Sequence, residues 1–319
     1  MAAALNSALR DCLRTDDRVL VLGEDIGKLG GVFRITEKLQ EEFGSERVFD
    51  TPLAESGILG VSLGLALYGY RPVCEIQFDG FVYPAFNQIV SHVAKHRYRS
   101  RGRAGVPLVV RIPFAGGIGA AEHHSESPET YFAHTAGLKV VVPSSPLDAY
   151  DLLTQAIQDP DPVIFFEPKS RYWSKESGDL GKGSLPIGKA RVVRRGDACT
   201  LITYGAMVTR CLETAAAAQE DGVEVEVVDL RSLVPFDLET VSASVQKTKR
   251  AVVVHEAPLT LGFGAEVVAQ VSEEVFSVLE APIVRVTGYD TPYPPAKVEQ
   301  YYVPSVDRIL GAIERVLTY

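Results

Sequence analysis

The sequence predicts an α/β protein of two domains, and three observations carry that prediction. Short β-branched runs alternate with helical patterns through the first half, the texture breaks at a polar, glycine-rich stretch, and the alternation then resumes. Runs such as Lys139-Val140-Val141-Val142 and Val163-Ile164-Phe165-Phe166 are apolar without alternation. That is the expected texture of parallel strands covered by helices on both faces.

In the first half, strands are expected at Arg18–Leu22, Arg47–Phe49, Pro72–Gln77, Pro107–Arg111, Lys139–Val142 and Val163–Phe166. Helices are expected at Ala3–Arg14, Arg34–Phe43, Ser56–Tyr68, Pro84–Arg97 and Pro146–Gln158. The stretch Ile58–Leu67 has almost no polar face and is expected to be buried. Residues 174–183 are polar and glycine-rich without periodicity, which reads as a linker. Beyond it come strands at Ala198–Tyr204, Val223–Asp229, Ala251–His255 and Pro282–Val286. Helices at Met207–Glu220, Leu238–Gln246, Gly262–Phe276 and Ser305–Leu317 alternate with them and close the chain. The expected division is 1–180, a linker over 181–195, and 196–319. No repeat or low-complexity tract is found.

The 319 residues give ample apolar sequence for real cores. A net charge of −9 argues against nucleic acid or an anionic membrane as the main partner. Cys12, Cys74, Cys199 and Cys211 are scattered with no C-x-x-C pair, so they read as reduced thiols rather than a disulfide frame or a zinc site. No basic flank precedes an apolar core at the start, and no apolar run approaches the ~20 residues that span a bilayer. The expectation is a soluble, cytoplasmic protein.

Three segments carry candidate chemistry. In Thr51-Pro52-Leu53-Ala54-Glu55-Ser56-Gly57 a strand runs into the apolar helix. Glu55 is there either a first-turn acid favouring the helix N-terminus, or a partly desolvated carboxyl with a raised pKa and a shareable proton. The glycines at 57, 60 and 64 follow no G-x-G-x-x-G pattern, and their helical spacing suits close packing better than a dinucleotide loop. Phe78-Asp79-Gly80-Phe81-Val82-Tyr83-Pro84-Ala85-Phe86 is an aromatic turn just after a strand. Its rings either fill the core or, at the carboxyl edge of a parallel sheet, stack on a planar heterocycle. The third segment, Gly116-Gly117-Ile118-Gly119-Ala120-Ala121-Glu122-His123-His124-Ser125-Glu126, is a glycine-rich loop with two histidines. They are either solvated side chains or acid/base groups; further ligands at zinc spacing are missing. In the second half, His255-Glu256 and Gly262-Phe263-Gly264 read as strand–loop–helix architecture. The loop Gly288-Tyr289-Asp290-Thr291-Pro292-Tyr293-Pro294-Pro295 reads as an interface segment.

Taken in order, these motifs resemble along essentially the whole chain the β subunits of the thiamine-diphosphate-dependent 2-oxoacid dehydrogenases. The resemblance rests on Gly23-Glu24-Asp25, Thr51-Pro52-Leu53-Ala54-Glu55, Glu75-Ile76-Gln77-Phe78, Tyr98-Arg99-Ser100, His124-Ser125-Glu126-Ser127-Pro128-Glu129 and Gly137-Leu138-Lys139-Val140-Val141. Together these stretches are specific; none is alone. Gly30-Gly31-Val32-Phe33-Arg34, Gly288-Tyr289-Asp290-Thr291-Pro292-Tyr293-Pro294 and the Ser-Pro-Glu after the histidine look more like the branched-chain enzyme than the pyruvate enzyme.

The resemblance implies a pyrimidine-binding domain followed by a transketolase-type C-terminal domain. It implies that Glu55 hydrogen-bonds N1′ of the cofactor's aminopyrimidine, favouring the imino tautomer that removes the thiazolium C2 proton. Phe81 matches the aromatic that stacks on the pyrimidine, where the branched-chain relatives carry Tyr; Tyr83 competes for that role, and Leu53 belongs to the same cofactor-binding set. His124 matches the histidine facing the thiazolium and would act as proton donor in acyl transfer to a lipoyl group, with His123 the weaker candidate. Val106, Leu108, Val109, Ala156, Asp159 and Asp161 match a potassium site built largely from backbone carbonyls. The Gly-Asp-Gly and downstream Asn with which such enzymes hold Mg²⁺ are missing; Phe78-Asp79-Gly80 lacks the leading glycine. A separate α subunit is therefore expected to hold Mg²⁺ in an α2β2 assembly, with a lipoyl-bearing acyltransferase core as further partner. The rival expectations are a pyruvate or acetoin dehydrogenase β subunit, a non-catalytic assembly subunit that docks the acyltransferase core, and a nucleotide-dependent oxidoreductase.

Overall fold

A computed structural model describes all residues, Met1 to Tyr319. Twelve strands form two sheets: β1 (Val19–Gly23), β2 (Val48–Asp50), β3 (Arg71–Glu75), β4 (Val109–Phe114), β5 (Lys139–Val141), β6 (Val163–Pro168), β7 (Arg191–Arg194), β8 (Cys199–Thr203), β9 (Val225–Asp229), β10 (Ser232–Val234), β11 (Ala251–Pro258) and β12 (Val284–Gly288). The first sheet has the order β10-β5-β6-β4-β3-β1-β2 and the second the order β12-β11-β8-β9-β7. Every pairing is parallel except β10 with β5 and β7 with β9, both at sheet edges. The strands of the two sheet centres are buried along their length, which explains why their sequences do not alternate.

The helices lie close to the expected spans, Pro146–Gln158 and Met207–Glu220 matching in full. Ser145 and Pro146 start the first of these as N-cap and first-turn proline, the Ser145 hydroxyl accepting from Asp148 N. The structure departs from the expected spans in five places. The helix expected from Arg34 is only Leu39–Phe43, because Arg34 and Lys38 take left-handed backbone angles of 61° and 65° that break it. The helix expected over Pro84–Arg97 is a 3-10 turn at Asp79–Ala85, a π-helix at Gln88–Val93 and one α-turn at His96–Arg99. Pro84, with no N–H to give, sits in the first of these pieces. β7 forms inside the segment read as linker, and β10 lies in the C-terminal half yet completes the first sheet. Finally, the helix Glu55–Leu67 is not buried all round: Ile58, Leu59, Ser62 and Ala66 face the core, while Val61 is 53% and Leu67 46% exposed.

The centre of the first sheet holds a charge cluster that periodicity does not reveal. Arg111 on β4 is fully buried and forks onto Glu167 of β6, Nε to Oε1 at 2.6 Å and Nη2 to Oε2 at 2.9 Å. Its Nη1 donates to Glu75 Oε2 of β3 at 2.7 Å, and Tyr172 Oη donates to Glu167 Oε2 at 2.7 Å. The planar guanidinium satisfies two carboxylates at once, the geometry a buried pair needs to offset its desolvation. No helix is long and apolar enough to cross a membrane.

Candidate active site

The three segments singled out in the sequence converge at the carboxyl edge of the first sheet, where ligands of open parallel sheets bind. Helix Glu55–Leu67 packs on the aromatic turn 79–85, and that turn packs on the short 3-10 helix Glu122–His124 of the histidine loop. Glu55 is the first residue of its helix and is buried. Leu53, two residues before it, is 81% exposed and free to contact a ligand or another chain. Beside Glu55 lies Glu24, just after β1: burial first, then the charges of Glu55 and Asp25, hold its carboxyl above the ordinary range. Glu24 Oε1 is buried with no hydrogen-bond partner. A heteroaromatic N–H or amino group entering here would satisfy that orphaned oxygen.

The aromatic turn is organised around His124. Phe78 stacks on its imidazole with centroids 3.9 Å apart and planes at 19°, and Phe81 meets the same ring edge-on at 5.1 Å and 90°. Phe78 thus spends a face on His124, whereas the edge-on geometry leaves a Phe81 face available for a planar ligand. Tyr83 is placed elsewhere. Its hydroxyl donates to Glu126 Oε2 at 2.6 Å, and the ring lines a cleft between the domains with Tyr131, Glu256, Tyr293 and Tyr302. Of the two aromatics the sequence left in competition, Phe81 is the one beside the histidine.

His124 is half-buried and His123 is exposed. His124 Nδ1 lies 3.0 Å from the His123 carbonyl oxygen, which can only accept, so Nδ1 carries the proton and Nε2 is left with a lone pair. Burial lowers the pKa of the imidazole, the hydrogen bond with the His123 backbone opposes this, and the charges of His123 and Lys169 add to the lowering. With its pKa below the ordinary histidine value, the ring favours the neutral form at pH 7 and presents a lone pair at Nε2.

Beneath the turn, Asp79 and Lys169 form an ion pair at 2.6 Å, both fully buried. Burial pushes the Asp79 carboxyl up to about 6, the Lys169 ammonium holding it below where burial alone would put it. The other Asp79 oxygen accepts Glu126 N at 2.6 Å, so the pair fixes one end of the histidine loop. Gly80 makes the approach possible, since a Cβ there would lie 2.2 Å from the His123 carbonyl oxygen. Sequence reasoning weighed Asp79 only as part of an incomplete Mg²⁺ motif and gave Lys169 no role; their pairing spans 90 residues and has no local signature.

The matched cation positions also come together. Val106, Leu108 and Val109 enter β4 beside the C-terminal turn of helix Pro146–Gln158, which holds Ala156, and the following loop, which holds Asp159 and Asp161. The two backbones nearly touch: a Cβ on Gly105 would lie 2.4 Å from Pro160 O. Both aspartate side chains are engaged, Asp159 with Lys139 at 2.6 Å and Asp161 with Arg97. Several of the backbone carbonyls are engaged as well: Val106 O accepts Leu108 N at 2.8 Å, and Leu108 O accepts Val163 N at 2.9 Å.

Comparison with known proteins identifies both domains and the family. Residues 1–174 match the model of the transketolase pyrimidine-binding domain, and residues 188–309 that of the transketolase C-terminal domain. A 3-methyl-2-oxobutanoate dehydrogenase subunit beta of Mycobacterium tuberculosis is 55% identical, over 99% of this chain and 91% of the relative. A pyruvate dehydrogenase E1 component subunit beta of Leifsonia xyli is also 55% identical, over 100% of this chain and 95% of the relative. Among solved structures, an inactive β4 tetramer of a split-gene transketolase shares the fold at TM-score 0.82 and 22% identity, over 99% of this chain and 97% of that one. The chain belongs to the β subunits of the thiamine-diphosphate-dependent 2-oxoacid dehydrogenases.

Proposed function

We propose that this chain is the β subunit of a branched-chain 2-oxoacid dehydrogenase, acting on acids of the 3-methyl-2-oxobutanoate type and passing the acyl group to a lipoyl group of a partner acyltransferase. The observation that carries the catalytic reading is the meeting of Glu55, Phe81 and His124 at one sheet edge. Thiamine diphosphate, when bound, supplies the carbon nucleophile and the electron sink for decarboxylation. Glu55 would hold a proton against the aminopyrimidine nitrogen, Phe81 would present a ring face to that heterocycle, and Leu53 would close its exposed side. His124 Nε2 would exchange a proton with the lipoyl sulfur during acyl transfer, its Nδ1–H kept in place by the His123 carbonyl.

The diphosphate and Mg²⁺ are assigned to an α subunit in an α2β2 assembly, because this chain lacks the Gly-Asp-Gly motif and its downstream Asn. The bare face of helix Glu55–Leu67 supports a chain docking beside Glu55. The carbonyls of Val106, Leu108, Val109, Ala156, Asp159 and Asp161 are assigned to a potassium ion.

The substrate assignment rests on the glycine-rich 30–34 segment, the 288–294 loop and the relative acting on 3-methyl-2-oxobutanoate. The equally identical pyruvate dehydrogenase subunit favours a second reading, a pyruvate-type β subunit. Turnover of 3-methyl-2-oxobutanoate and of pyruvate by the reconstituted α/β pair separates them. The branched acid should be preferred by at least about tenfold in kcat/KM, the scale on which an apolar pocket discriminates methyl groups; equal or better use of pyruvate overturns the assignment.

A further inference from the structure

The C-terminal domain contributes no residue to the chemistry described so far, yet it grips the histidine loop. The loop runs from Ala115 to Glu126 and is closed at its base by Ala115 N donating to Glu126 O at 2.8 Å. Between Phe114 and Glu122 it has no helix or strand of its own, and Ala115, Gly117 and Gly119 have left-handed φ angles of 65°, 87° and 67°. So glycine-rich a segment, left alone, samples many conformations. Its amides are instead taken up by carboxylates from far along the chain. Gly116 N donates to Glu256 Oε2 at 3.1 Å, Gly117 N to Glu299 Oε1 at 2.7 Å and Gly119 N to Glu299 Oε2 at 3.2 Å. Tyr293 Oη donates to Glu299 Oε1 at 2.7 Å and orients it. The fit is close: a Cβ on Gly116 would lie 1.7 Å from the Tyr293 hydroxyl oxygen.

We propose that Glu299, seconded by Glu256 and oriented by Tyr293, is a positioning residue through which the C-terminal domain sets the place of His124. A carboxylate straddling two amides of one loop fixes both its position and its twist, because charge-assisted N–H···O⁻ bonds are the strong, directional ones. The opposite end of the loop is fixed by Asp79 accepting Glu126 N, so His124 hangs between two carboxylate anchors from different domains. Proton transfer needs placement to a fraction of an ångström, so releasing one anchor acts on the step His124 serves. The inference rests on the reading of His124 given above.

The test uses the assembled α/β enzyme carrying Glu299→Ala, Glu299→Gln or His124→Ala. Amide hydrogen exchange across residues 115–121 is measured beside two rates: acyl transfer to a lipoyl domain, and decarboxylation read with an artificial electron acceptor. With Glu299→Ala, exchange in the loop should quicken by about tenfold or more, and kcat for acyl transfer should fall by about tenfold to a hundredfold. KM for the 2-oxo acid should stay within about twofold, and decarboxylation should fall much less than transfer. Glu299→Gln, which keeps a side-chain oxygen to accept one amide, should lie between Glu299→Ala and wild type. Unchanged exchange in Glu299→Ala overturns the clamp, and quickened exchange with intact acyl transfer overturns the positioning role. If His124→Ala leaves transfer intact, the reading of His124 falls instead, and exchange alone then decides whether the clamp exists.

Discussion

The histidine loop and the glutamate helix face the same ligand space, but the chain supports them very differently. The loop is glycine-rich and irregular, and its own chain holds it from below, behind and the side: Phe78 on the His124 ring, Asp79 and Lys169 at one end, Glu256 and Glu299 at the other. The helix is regular and apolar, and half of it touches nothing. Leu53, Val61, Leu67 and Tyr68 are exposed, and a Cβ added at Gly60 or Gly64 would meet no atom within 4 Å. Exposed apolar helix surface of this kind is what the proposed α subunit would cover. On the proposed reading, this chain finishes the histidine side of the site by itself and leaves the glutamate side to be finished from outside.

Breaking the supported half should cost most. Asp79→Ala strands the fully buried Lys169 ammonium without its counter-ion and frees Glu126 N, so stability should fall by about 3–5 kcal/mol. Chemical denaturation of wild type and variant checks this. A loss below about 1 kcal/mol would show that Lys169 finds another partner.

The unsupported half should respond in the opposite sense. Gly60→Leu meets open space in the isolated chain and exchanges a poor helix former for a good one, a gain of about 1 kcal/mol. The same side chain should block assembly with the α subunit, as size-exclusion chromatography of the mixture would show. Normal assembly would mean that this face stays bare in the enzyme.

The smallest expected effect concerns the carboxylates between the domains. Burial raises Glu256 to about 7, and Glu129, whose Oε1 accepts Tyr204 Oη at 2.6 Å, also to about 7. A folded-state pKa above the unfolded value means that the native protein binds the extra proton. The stability these two groups give is therefore present below the ordinary carboxylate range and is lost as pH rises from about 4.5 through 7. Glu256→Gln should remove its share, making the fall in stability between pH 6 and pH 8 smaller by about 1 kcal/mol. An identical fall in wild type and variant would mean that Glu256 is ionised throughout.

The same contrast explains what could be read from the sequence. Helices and central strands were legible because burial on one or both faces writes a period into consecutive residues, as in Pro146–Gln158 and Val163–Phe166. The segments around Glu55 and His124 stood out by their unusual local composition, but the roles proposed for the two residues came only with the family resemblance. The pairings of Arg111 with Glu75 and Glu167, Asp79 with Lys169, and Glu299 with Gly117 were not legible, because each joins residues 36 to 182 positions apart and leaves no local signature of its partner. The bare face of helix Glu55–Leu67 was misread for a related reason: apolar composition says that a surface will be covered, not which chain covers it.

On the proposed function, this chain carries the proton-handling side of a site whose diphosphate is held by another chain. The deciding measurement is release of CO2 from 3-methyl-2-oxobutanoate with thiamine diphosphate and Mg²⁺, by the isolated chain, by the α/β pair, and by the pair carrying Glu55→Gln. The isolated chain should show no catalysed release, the pair should turn over, and Glu55→Gln should cost the pair about a hundredfold or more, the scale of a lost proton-transfer group. Catalysed release by the isolated chain, or near-normal turnover by the Glu55→Gln pair, would contradict it.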